Sequence, residues 1–101
     1  MHMFRWIVKT IRDEHEVDEA ILVRSAALET DCGLAIEQVE GLLETIARCF
    51  AVAFPPGALD EVLRLEELFM LSAWLKGYYK QPPFLSDAYA AACRAANPAC
   101  G

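Results

Sequence analysis

At 101 residues, 55% of them hydrophobic and with only 5 glycines and 5 prolines, the chain has material for one small core spanning residues 1–101. The scarcity of Gly and Pro, with frequent Ala, Leu and Glu, favours an all-α domain over a strand-rich one. A formal charge of -6 argues against nucleic acid, whose phosphates demand a basic surface, and favours a protein with a basic surface patch as partner.

In chain order, Phe4, Ile7, Val8 and Ile11 recur at helical spacing with Arg5, Lys9 and Arg12 on other faces, which predicts an amphipathic helix from about Met3 to His15. The start, from Met1 to Trp6, lacks the long apolar core and cleavage site of a secretory signal, so the chain reads as cytoplasmic with reduced thiols. The acidic run that follows, with Asp13, Glu14, Glu16, Asp18 and Glu19, has no cation-loop spacing and reads as a solvated helix end. Ile21, Leu22 and Val23 are too few for periodicity to separate a helical turn from an extended piece.

The next helix carries the clearest signal. Ile36, Val39, Leu43, Ile46 and Phe50 form one apolar stripe, widened by Leu42 and Cys49. Glu37, Glu40 and Glu44 follow the same alternation on another face and form an acidic ridge open to a cationic partner. After Pro55-Pro56-Gly57 a long third helical region begins at Ala58. Its charges stop at Glu67, and residues 68–75 are apolar all round. Such a run is far short of the roughly twenty residues a membrane span needs, so no span is expected. It is either a buried helix or a contact surface, in a homodimer or a partner complex, with Phe69, Met70 and Trp74 as anchors.

Gly77 stops that helix, Tyr78 to Pro83 forms a connector, and Ser86 caps a last helix that ends at Asn97-Pro98 with Leu85, Tyr89 and Cys93 facing inward. The four cysteines, Cys32, Cys49, Cys93 and Cys100, lack Cys-x-x-Cys spacing and stand apart from His2 and His15, so no zinc site is expected. Cys49 is placed in the core, and Cys32 and Cys100 at the surface.

The stretch Asp31-Cys32-Gly33, the acidic helix closed by Phe50, and Val52-Ala53-Phe54-Pro55 resemble the heart of an acyl carrier protein. In that family an Asp-x-Gly turn leads into Asp-Ser-Leu, whose serine receives the phosphopantetheine arm, and the helix after it docks onto basic patches of partner enzymes. Here Ile36 holds the serine's place in an ungapped alignment, and Ala35 holds it after a one-residue slip. Leu42-Leu43-Glu44, Phe50-x-Val52, the prolyl connector and the alanine-rich last helix look closer still to uncharacterised bacterial carrier-like proteins that keep the four-helix outline and lack the modified serine. Ala35-Ile36, where Gly or acidic residues are common, and the tail without its usual aromatic depart from that pattern.

The resemblance implies an acyl-carrier-protein-like four-helix bundle that binds a protein through Glu37, Glu40, Glu44 and Ile36, without a cofactor. Enzyme signatures are absent: there is no Gly-rich phosphate loop, no His-Glu-x-x-His and no Gly-x-Ser-x-Gly. Two rival readings remain open. One is an acyl or peptidyl carrier that uses Ser25, and the other is a helical dimer or toxin-neutralising subunit built on residues 68–75.

Overall fold

The helix Leu65–Leu75 carries the run 68–75 that is apolar all round in sequence, and it is buried nearly all round in space, with only Glu66, Glu67 and Met70 reaching the surface. The computed structural model describes residues 2–100, so Met1 and Gly101, the outermost residues of the leader and tail readings, lie outside the described residues. In chain order the elements are α1 (Met3–His15), a 3-10 turn (Glu19–Ile21), α2 (Ile36–Phe50), α3 (Ala58–Glu61), α4 (Leu65–Leu75) and α5 (Asp87–Ala96). Among the described residues no strand forms, only an isolated antiparallel bridge between Ala27 and Arg64, so the expected all-α class is borne out.

α4 is the central post. Leu65, Leu68, Leu71 and Leu75 are each 1% exposed or less, and each contributes about 1.5–3 kcal/mol by leaving water. Met3, Ile7 and Ile11 of α1, Val39, Leu42 and Ile46 of α2, and Tyr89, Ala90 and Cys93 of α5 join it in one core. α1 and α2 run antiparallel along a seam with Trp6 edge-on to Phe50 at one end (5.0 Å) and Gln38 beside His15 at the other (3.4 Å).

The third helical region is broken, which corrects the expectation of one long helix from Ala58. Residues 62–64 are extended, Val62 having φ -112° and ψ 123°. No Gly or Pro marks the break, because its cause is tertiary. The loop of residues 16–35 lies alongside and exchanges backbone bonds with this segment: Leu28 N–H donates to the Leu63 carbonyl (2.9 Å), Leu65 N–H to that of Ala26 (2.8 Å) and Glu66 N–H to that of Arg24 (2.9 Å). Two N–H groups in the first turn of α4, those of Leu65 and Glu66, are thereby satisfied by the loop. Glu67 completes the start of the helix, its carboxylate accepting from the N–H groups of Leu63 (2.8 Å) and Arg64 (2.9 Å).

The same loop explains the Asp31-x-Gly33 signal. The Asp31 carboxylate accepts from Ala27 N–H (2.8 Å) and the Asp31 N–H donates back to the Ala27 carbonyl (3.0 Å), closing a tight turn that Gly33 leaves with φ 71°. Val17, Leu22, Ala26, Leu28, Cys32 and Leu34 point inward and hold this long loop on the core. Ile21 and Val23 point out.

Gly77 is required twice over. It has φ 87°, and a Cβ there would stand 2.9 Å from the Ala99 carbonyl oxygen, because the tail crosses directly above it. Cys100, the next residue of the tail, is buried.

Candidate functional site

α2 begins at Ala35, whose side chain cannot cap the helix; instead Gln38 reaches back and its side-chain oxygen accepts from Ala35 N–H (2.8 Å). Ile36, the first helical residue, is 55% exposed, a large apolar side chain standing where the carrier resemblance places the modified serine. Although it begins the apolar stripe in sequence, it is not part of the core.

Glu37, Glu40 and Glu44 are all exposed on the outer side of α2. Between α2 and α3 lies an open groove of about 470 Å³ with Leu43, Ala47, Phe54 and Leu59 as its apolar lining and Glu40, Glu44 and Asp60 as its charged lining. Asp60 was not singled out in the sequence, since only the fold brings α3 beside α2. Among the described residues none of these four carboxylates takes part in an ion pair or a side-chain hydrogen bond; the ion pairs present, Arg12 with Asp13 and Arg12 with Glu19, are elsewhere. An apolar trough edged by unpartnered negative charge suits an amphipathic, cationic protein surface.

The groove is fastened from below by α5. Asn97, 3% exposed, accepts from Ala53 N–H (2.7 Å) and donates to the carbonyls of Ala53 (2.8 Å) and Cys93 (3.0 Å). The Tyr89 hydroxyl donates to the Pro55 carbonyl (3.0 Å). These contacts fix the connector that forms one wall, and burial drives the Tyr89 phenol far above its ordinary range. Burial, with the neighbouring Cys100 thiol, pushes Cys93 up to about 11.

The remaining sequence candidates fall in different places. Phe69 and Trp74 are 4% and 2% exposed and fill the core of this same chain, so of the three proposed anchors only Met70, half-buried, has substantial exposed area. Ser25 is exposed in the turn before the Ala27 bridge, far in sequence from Ile36, and its carbonyl is held by Arg64 Nη1 (2.6 Å).

The thiols are rearranged relative to expectation. Cys49 is exposed because the last turn of α2 is covered from the α1 side, where Trp6 packs on Phe50 instead. Cys32 and Cys100 are buried, at 7% exposure each, and their thiols are raised by that burial. A thiol reagent at neutral pH is therefore expected to modify one cysteine rapidly, with the other three reacting only as the chain unfolds. Tryptic mapping of the fast adduct to Cys93 or Cys100 would contradict this burial pattern.

Among the described residues no group of three or more His, Cys, Asp or Glu side chains is arranged to hold a metal ion, and no helix is long and apolar enough to cross a membrane. No protein-family model, curated protein or solved structure matches this chain.

Proposed function

We propose that this chain is a non-catalytic, carrier-like interaction module that docks through the outer face of α2 onto a basic patch of a partner protein and bears no phosphopantetheine arm. The observation that carries this reading is the set of exposed, unpartnered carboxylates of Glu40, Glu44 and Asp60 around a groove with an apolar lining, with Glu37 exposed on the same helix. The order of elements supports it: a helix, a long loop, an acidic helix after an Asp-x-Gly turn, a third helical region that is broken into α3 and α4, and a last alanine-rich helix, in keeping with the four-helix outline that the resemblance implies. Ile36 supports the absence of an arm, since an isoleucine has no nucleophile to receive one, and its exposure supplies an apolar contact at the end of the ridge.

Immobilised wild type is expected to retain basic host proteins that salt releases, because exposed charge pairs are screened within about 10 Å at 0.1 M ionic strength. The variant E37K/E40K/E44K is expected to lose that retention, while the charge-matched control E14K/E16K/E29K, altered at exposed positions away from the groove, keeps it. Equal retention by the α2 variant and the wild type contradicts the reading.

A further inference from the structure

A second pocket has the opposite chemistry. It lies where the turn after Leu22, helix α4 and the connector after Gly77 meet, measures about 180 Å³, and is more enclosed than the α2–α3 groove. Phe69, Met70, Tyr79 and Pro83 give it an apolar and aromatic floor, and Arg24, Lys80 and Gln81 give it a polar rim.

In a chain with 15 acidic side chains, none of those described lines this pocket. Among the described residues neither Arg24 nor Lys80 is in an ion pair. The Gln81 side-chain oxygen already accepts from Arg94 Nη1 (2.8 Å), which leaves its NH2 group as the free end. The rim thus offers two cations and an amide donor, a set that selects an anion.

Arg24 is also held in place without being neutralised. Its guanidinium sits 5.5 Å from the centre of the Phe4 ring, and its backbone carbonyl is tied to Glu66 N–H at the start of α4. Phe69 meets Phe4 and Tyr79 edge-on, at 5.5 and 5.6 Å, so the floor is a fixed aromatic cluster.

Size narrows the class further. An apolar cavity of about 150 Å³ takes a benzene ring, so a pocket of this volume has room for one ring with its charged group at the rim and not for a nucleotide. A bare inorganic anion would leave the floor unused. We infer that this pocket binds a small monoaromatic carboxylate, its ring against Phe69 and Tyr79 and its carboxylate between Arg24 and Lys80, at a site separate from the α2 docking face and independent of the function proposed for it.

Titration of the full 15N-labelled chain with sodium benzoate, followed by amide shifts, tests this. Benzoate is expected to move the amides of Arg24, Met70, Tyr79, Lys80 and Gln81 saturably, with a dissociation constant in the millimolar range expected of so small a ligand. Benzyl alcohol, which lacks the charge, and inorganic phosphate, which lacks the ring, are each expected to bind about tenfold more weakly. Arg24→Gln and Lys80→Gln are exposed substitutions that leave the fold intact, and each is expected to weaken benzoate by about three- to tenfold. The inference is overturned if those amides do not shift saturably, if benzyl alcohol or phosphate binds as tightly as benzoate, or if the folded double variant R24Q/K80Q keeps wild-type affinity.

Discussion

Replacing Trp74 by glutamate is expected to unfold the chain. The side chain is 2% exposed within α4, in the core cluster that α4 shares with α1, α2 and α5, so the substitution removes a large apolar group and leaves a carboxylate without a partner in the core. Truncation of a buried Trp to Ala alone costs about 3–5 kcal/mol, and burying an unpaired charge costs several more. Small domains have only about 5–15 kcal/mol in total. Far-ultraviolet circular dichroism is expected to show little residual helix in Trp74→Glu, and a markedly lowered melting temperature in Trp74→Ala. Were Trp74 instead an interface anchor, the glutamate variant would melt near wild type and differ only in sedimentation.

Asn97→Leu is the second large effect, at about 2–4 kcal/mol. The amide serves both backbone groups of Ala53 and the carbonyl of Cys93; that carbonyl keeps the backbone N–H of residue 97 (3.0 Å), so the loss leaves the N–H and carbonyl of Ala53 searching for water in a part-buried seam. Asn97→Asp separates this clamp from mere packing. The carboxylate keeps the bond from Ala53 N–H but faces two carbonyl oxygens, which raises its pKa in the folded state above the unfolded value. Stability lost by this variant is therefore present at low pH and disappears as pH rises through the carboxylate range, so its deficit against wild type in urea is expected to narrow on acidification. A deficit independent of pH would contradict the assigned contacts.

These two residues also mark where the sequence was legible. α1, α2 and α5 are governed by local information, apolar period and caps, and their limits follow from it: the Asp31 turn opens the way to α2, and the Ser86 hydroxyl accepts from Tyr89 N–H at the start of α5. Residues 68–75 announced burial by being apolar on all sides, although hydropathy could not say whether the cover came from this chain or from another. The break at residues 62–64 was not legible, since it depends on carbonyls of Arg24 and Ala26 more than thirty-five positions away. Likewise Asn97 reads locally as a helix stop, and its bond to Ala53 exists only because α5 returns beneath the α2–α3 connector.

The site followed the same division. The acidic ridge is periodic and visible in the sequence, while Asp60, the groove beside it and the Arg24–Lys80 pocket are assembled from separate segments. Cysteine placement failed for a related reason: Cys49 continues the spacing of the buried Val39, Leu42 and Ile46, but the neighbouring helix covers Phe50 and leaves Cys49 open.

The most direct test of the docking module without an arm is the intact mass of the protein purified from its own host, measured under native and then denaturing conditions. The expected result is the unmodified chain mass after denaturation, with a basic protein retained under native, low-salt conditions and lost from the E37K/E40K/E44K variant. A covalent increment matching phosphopantetheine, with or without an acyl group, would contradict the account and reassign the chain as a loaded carrier that uses another hydroxyl, Ser25 first among them.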